Sequence, residues 1–478
     1  MKRFALVALL AALIFSVVSS ASATELKVKG QFDVYGLWSA NLKDHDSDVK
    51  DGDNYLTTQR MRTYFSFVTN ENLKAVLGLE IDNIWGQAGS KGSNAGWGSD
   101  GTNIEVKHAY LDFNFPDSAV NVKAGLQSVA LPGVFGNPIF DDDAAALVVS
   151  APINDMVGVA VGYTRGSDDS SNFDNSPLSD GEDKDDVDMA FIAVPVTLDG
   201  FAATPYFAYA WMGGGDGYSY TQATENTEDF VIDTDGDGVG DDTISMGDGT
   251  YTYTTVDVAA GDDATVWALG INAELTMFDP LTFAADLIYA SMDQDDFETD
   301  GWYAALAATY KFDFMTATLL GTYATGADGD GDESYMPVLR EGWGVTAYVG
   351  GSRAFGNHDS WGTDALSIFG PIDLSSGVGL WTVGLVLDKI SFVENLSHTF
   401  VLAYGQGTSD KWEDTGMLFT EEDSLWEVYL CNKYMIYENL AAINELGYMK
   451  ATSELYDTIN GEDLDASYFA TVGFQYKF

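Results

Sequence analysis

The sequence predicts an all-β protein: a transmembrane antiparallel β-barrel of about 18 strands, with short periplasmic turns and long acidic external loops. Three observations predict it. The last eleven residues, Tyr468 to Phe478, alternate strictly, with Tyr468, Ala470, Val472, Phe474, Tyr476 and Phe478 on one face and a mostly polar set on the other. Alternating segments of about ten residues recur along the chain. The connections between them come in two kinds, one short and built on Asn, Asp or Pro, the other long, acidic and rich in Gly and Ser.

The N-terminus comes first. Met1-Lys2-Arg3 precedes an apolar run from Phe4 to Val18 and then Ala21-Ser22-Ala23. A basic start, a short apolar middle and a small-x-small site predict a cleaved signal peptide over 1–23, leaving 24–478 as the barrel. A retained anchor is the alternative, but the run is short of the roughly 20 residues of a comfortable span. Beyond Ala23 no apolar stretch is long enough for a membrane helix. The exported chain is then either soluble or a barrel, because only helices and closed barrels satisfy their backbone in lipid.

Composition agrees. Gly is abundant (50), Pro is rare (10), and Trp, Tyr and Phe number 11, 25 and 27. The formal charge of −52 becomes −54 once Lys2 and Arg3 leave with the signal. Such acidity excludes nucleic acid as a partner. Cys431 is the single cysteine, so no internal disulfide forms, and it reads as a small wall residue.

The short turns fall at 70–72, 116–118, 152–155, 198–200, 279–280, 311–313, 394–395 and 438–439. Three of them share Glu-Asn-Leu, and Asn tolerates the left-handed backbone of a tight hairpin. The long connections run near 41–55, 86–103, 129–142, 166–186, 213–263, 292–300, 326–376, 406–423 and 451–465. Nine long and eight short connections imply 18 strands, and a strand at Gly344–Val349 would shift that to 16 or 20. The hairpin around Asn70–Asn72 shows the facing. Met61, Phe65 and Phe67 alternate with Arg60, Arg62 and Tyr64, and Leu77, Leu79 and Ile81 alternate with Lys74, Glu80 and Asp82. A soluble sandwich would alternate in the same way. The leader, the length, the aromatic terminus and the Trp and Tyr near strand ends favour a lipid-facing barrel.

The leader, a first strand Glu25 to Trp38, acidic loops and the terminal Tyr476-Lys477-Phe478 resemble a Gram-negative general diffusion porin, and within that group the homotrimeric outer-membrane porins of sulfate-reducing bacteria. The resemblance implies outer-membrane localisation, a homotrimer, outer-membrane lipids as surroundings, and passage of small hydrophilic solutes with no required cofactor. It also implies that the barrel-assembly machinery reads Phe478, which is otherwise a girdle residue. In that family the third external loop enters the lumen. The matching loop here is 129–142, which carries two prolines and two glycines and leads into Asp141-Asp142-Asp143. It departs from the familiar acidic motif, and an external lid or a subunit contact are its other readings.

Facing alone places Arg60, Arg62, Lys74, His108 and Lys123 on the lumen side, and Gln127 with them. With Asp141, Asp142 and Asp143 across from them, these residues would set a transverse field at a constriction. The acidic loops and the inward Glu80, Asp82, Asp112, Asp286 and Asp388 argue for mild cation selectivity. Asp233, Asp235, Asp237 and Asp241 alternate around Gly as calcium ligands do, although Ile244 stands where an EF-hand needs Glu. Ca²⁺ is therefore a candidate ligand of the loop 233–241, with a solvated acidic tip as the alternative. Asp328, Asp330 and Asp332 echo the spacing weakly. No catalytic motif appears; His45 between Asp44 and Asp46 is the one suggestive trio, and the expectation is no enzyme. Two other functions fit the architecture. A substrate-specific channel would need an aromatic track in the lumen, and a surface-binding protein would use 213–263 and 326–376.

Overall fold

The computed structural model describes residues 24–41, 54–86, 97, 104–167, 186–213, 218–232, 242–258, 263–294, 297–329, 334–340, 342–344, 354–355, 378–415, 417, 419–454 and 463–478. Strands β1 (Glu25–Ala40), β2 (Asn54–Asn70), β3 (Leu73–Ile84), β4 (Glu105–Asn114), β5 (Asn121–Ala130), β6 (Asp141–Pro152) and β7 (Gly158–Ser167) follow as neighbours. β8 (Val187–Ala193) and β9 (Val196–Leu198) both pair with β10 (Phe201–Met212). They are one wall strand interrupted at Val194-Pro195, where proline has no N–H to give the ladder. A separate hairpin of β11 (Tyr218–Ile232) and β12 (Asp242–Val258) leaves the wall. The wall resumes with β13 (Ala264–Phe278), β14 (Leu281–Gln294), β15 (Phe297–Lys311), β16 (Thr316–Ala324), β17 (Leu380–Val393) and β18 (Leu396–Gly407). It ends with β19 (Ser424–Tyr437), β20 (Leu440–Thr452) and β21 (Ser467–Lys477).

Nineteen strand segments form this sheet; β8 and β9 merge into one, and 18 antiparallel wall strands result. β21 pairs with β1 and closes the barrel, so no edge is left. Phe478 completes the seam: its N–H donates to the Gly30 carbonyl (3.0 Å) and its carbonyl accepts from Gly30 N–H (2.8 Å). Its ring stacks on Tyr476. Removing Phe478 is expected to lower the yield of folded barrel, read as loss of the fast-migrating band on unheated SDS gels.

The outer face is apolar and the strands show it residue by residue. Leu287 is 49% exposed beside Ile288 at 1%, and Trp302 is 47% exposed beside Tyr303 at 0%. Aromatic rows such as Tyr310, Phe312, Phe314 and Phe392 gather at one end, and Trp267, Tyr289 and Trp302 toward the other. An apolar band between aromatic girdles is what a lipid bilayer selects.

The inner face is divided. Along β8, β10 and β13 to β15 it is largely apolar as well, with Met189, Phe191, Tyr206, Ala208, Val266, Ile288 and Tyr303 all buried. They are buried because two connections turn into the barrel. One is 131–140, between β5 and β6. The other belongs to the connection after β16, which the sequence placed outside at 326–376. Its described pieces instead run along the first loop and the inner wall. Leu339 and Arg340 N–H donate to the Ile139 carbonyl, Gly342 N–H to Asn137 and Gly344 N–H to Phe135. Residues 345–349 lie outside the described residues. The expected long loop at 292–300 is a short link, since β14 reaches Gln294 and β15 starts at Phe297.

Gly136 sits where the two segments meet. Its φ of +88° disfavours any side chain, and a Cβ would collide with the Gly342 carbonyl. Gly136→Ala is expected to cost at least about 1 kcal/mol and to expose 132–139 to protease, measured by limited proteolysis of the reconstituted barrel.

Candidate pore constriction

The first in-turned loop is fixed by one amide. Asn137, fully buried, donates through Nδ2 to the Pro132 carbonyl (2.8 Å) and the Tyr206 hydroxyl (2.8 Å). Its Oδ1 accepts from the N–H groups of Ile139 (2.9 Å) and Phe140 (3.3 Å). Val134 N–H reaches Asp286 on β14 (2.6 Å), and Asp286 also accepts from Asn272 (2.7 Å). The loop thus spans from β5 to the inner faces of β10 and β14. The apolar half of the wall is its seat, with Val134, Phe135 and Phe140 packed on that core. The second segment is held by Thr299, whose hydroxyl donates to the Tyr335 carbonyl (3.0 Å) and accepts from Tyr335 N–H (2.9 Å). Further along, Phe355 stacks on Tyr35 at 4.3 Å, and Ala354 is held by Glu445 (3.0 Å) and Gln475 (3.1 Å).

The other half of the wall carries the charges. Arg60 donates to Asp82 twice (2.7 and 3.0 Å) and lies 3.1 Å from Glu80. Arg62 forks onto Glu80 (2.8 and 3.0 Å). Lys107 bridges Asp143 (2.6 Å) and Glu80 (3.5 Å), and His108 Nε2 meets the other Asp143 oxygen at 2.9 Å. All of these but His108 share a cleft of about 350 Å³ with Glu105, Val106 and Leu126. Within the ion-paired cluster three cations, Arg60, Arg62 and Lys107, meet three carboxylates, Glu80, Asp82 and Asp143, and Glu105 adds a fourth carboxylate to the lining of the cleft.

The structure corrects the expected arrangement of this site. Asp143 does not face the basic wall from across the lumen; it lies within that wall, bound to Lys107 and His108. Asp142 pairs with Arg340 of the second segment (2.6 Å), and Asp141 donates its N–H to the Arg340 carbonyl. Lys74 and Lys123 are not with the arginines. Lys74 binds Asp112 (3.0 Å) and Lys123 sits opposite Asp112 in register, near the short turns. Lys74 and Asp112 line a second cavity of about 470 Å³, together with Lys27 and four asparagines.

Lys107 escapes period-two reading because of a bulge. Gly78 pairs with His108 and Leu79 with Val106, so Lys107 is the extra residue. The bulge brings two successive side chains to one carboxylate. Asn137, Tyr206, Arg340 and the Tyr35–Phe355 stack carried no short-range signal. The apolar inner face did: Val266-Trp267-Ala268-Leu269 is apolar on both faces, and so is Leu287-Ile288-Tyr289-Ala290. A strand apolar on both faces has something covering the second one. Asp233, Asp235, Asp237 and Asp241 lie outside the described residues, as do Asp330, Asp332, His45 and the leader 1–23.

With this geometry in place, the chain can be set beside known proteins. No family model matches it, and no curated protein matches it. Solved structures do. The crystal structure of OpdQ from Pseudomonas aeruginosa is similar over 96% of this chain and 99% of its own, at 11% identity and a TM-score of 0.51. The fold is that of an outer-membrane barrel. OccK11 (OpdR) of Pseudomonas aeruginosa matches over 95% of this chain and 96% of its own, at 9% identity and a TM-score of 0.49. OprD of the same organism matches over 96% of each chain at 12% identity and a TM-score of 0.48. At these identities the likeness concerns fold alone.

Proposed function

We propose that this barrel is an outer-membrane porin, a water-filled channel for passive diffusion of small hydrophilic solutes and ions, and not an enzyme. One observation carries the reading: two segments fold into a closed barrel and seat on its apolar inner half. The opposite half, lined by ions, is left to water and solutes. Mild cation preference is part of the proposal. The cations of the cleft, Arg60, Arg62 and Lys107, are matched by carboxylates at hydrogen-bond distance, so the unmatched charge that ions meet on approach is the acidic surplus of a chain at −52. A reversal potential in a salt gradient is expected to carry the cation-selective sign; the opposite sign would refute that part.

The resemblance noted in the sequence supports assembly as a homotrimer and recognition of Phe478 by the assembly machinery. It also supports export by the cleaved leader. Ca²⁺ on 233–241 stays a proposal of the sequence spacing, tested by isothermal titration with and without Asp233→Asn and Asp235→Asn. A substrate-specific channel is the second reading. It is favoured by how completely the lumen is shaped, since Asn137, Thr299 and Glu445 each fix an in-turned segment. Liposome swelling distinguishes the two, because diffusion grades with solute size and a specific channel saturates with one solute.

A further inference from the structure

On β18, β19 and β20 the outward positions alternate with the buried Val401 and Ala403, Tyr429 and Cys431, and Ile443 and Glu445. His398, Asn432 and Asn444 therefore point away from the lumen. They stand side by side, since His398 pairs with Asn432 and Asn432 with Asn444 in register. They also bond to one another: His398 Nδ1 to Asn432 Oδ1 at 2.6 Å, and Asn432 Nδ2 to Asn444 Oδ1 at 3.0 Å. Asn444 Nδ2 then donates to the Thr471 carbonyl at 3.1 Å.

This row is bracketed by apolar outward residues on every strand. Leu396 and Phe400 flank His398, Tyr434 and Leu430 flank Asn432, and Ala442 and Leu446 flank Asn444. It therefore lies inside the apolar band, where polar side chains are costly and call for a partner. Lipid tails offer none. After the bonds named above, one N–H of each amide is left over. With Nδ1 donating to Asn432, Nε2 of a neutral His398 is left as an acceptor. The remaining set holds both donors and an acceptor, so the same surface on another molecule can satisfy it. Ala442, the next outward residue to Asn444 on β20, is small enough for close approach, and a small residue beside polar ones is the combination that packs protein against protein in a bilayer.

We infer that the outer face of β18–β20, centred on His398, Asn432 and Asn444, is the contact with a second copy of this chain. The inference rests on the outer-membrane reading and gives the proposed oligomer a location. Replacing any one of the three polar side chains with leucine is expected to weaken association about threefold.

The test uses the full chain reconstituted in lipid nanodiscs. On a Cys431→Ala background, Asn432→Cys is expected to cross-link under mild oxidation into a species of twice the chain mass, and Leu287→Cys on β14 is not. The triple variant His398→Leu/Asn432→Leu/Asn444→Leu is expected to lower the oligomer mass by mass photometry while keeping its single-barrel conductance. A monomeric wild type overturns the inference. So does cross-linking at 287 but not at 432, or a cross-linked species containing another protein. If the triple variant does not fold, the two cysteine variants decide alone. Conductance is measured separately, so an oligomer that does not conduct would defeat the channel reading and leave this inference standing.

Discussion

Replacing Glu80 with leucine is expected to destabilise the barrel by about 3–5 kcal/mol and to move its selectivity toward anions. Glu80 is buried and meets three cations at once: Arg62 by a fork, Arg60 at 3.1 Å and Lys107 at 3.5 Å. Arg60 retains Asp82 and Lys107 retains Asp143, so the cost concentrates on Arg62 and falls toward the lower end of that range. Removing Glu80 takes one negative charge out of the cleft and leaves Arg62 without its fork beside the water path. Urea titration of the reconstituted protein reads the first effect and reversal potential in a salt gradient reads the second. Adding Arg62→Gln to Glu80→Leu is expected to return the reversal potential toward the wild-type value, because the net charge of the cleft is then that of the wild type. A Glu80 variant with unchanged selectivity would show that this cluster does not line the ion path.

Asn137→Ala is expected to release the in-turned loop. The substitution removes four hydrogen bonds at a fully buried position and orphans the Ile139 and Phe140 N–H groups, the Pro132 carbonyl and the Tyr206 hydroxyl. Each buried group left unmatched costs about 1–3 kcal/mol, and water entering the gap relieves part of it. The loop then has less reason to stay on the apolar wall. Single-channel conductance is expected to rise, and swelling assays to admit larger sugars, while the wall ladder and the heat-modifiable gel shift persist. Loss of the gel shift would mean that Asn137 supports the wall itself.

The wall was legible in the sequence because its cause is local. A strand between lipid and water must alternate, and Met61, Phe65 and Phe67 against Arg60, Arg62 and Tyr64 follow from that requirement alone. The inward facing of Glu80 and Asp82 was legible for the same reason. What period two could not express was a bulge, so Lys107 was absent from the expected lumen set. Nor could it express meetings between distant parts of the chain. Arg340 finds Asp142, and Asn137 finds Tyr206, only once the barrel has closed and the loops have entered. The acidic trio was therefore placed across the lumen on the pattern of a familiar family. The backbone instead brings Asp143 to Lys107 on the same wall. The doubly apolar strands β13 and β14 held the missing information, since their inner faces needed a cover that the strands themselves do not supply.

The central claim is that a size-limited, water-filled path runs between the in-turned segments and the ionic wall. Liposome swelling with sugars of graded mass tests it most directly. The account predicts entry rates that fall smoothly as sugar size rises, with Asn137→Ala moving the cutoff to larger sugars. No swelling with any sugar, or saturable entry of one sugar alone, would contradict it.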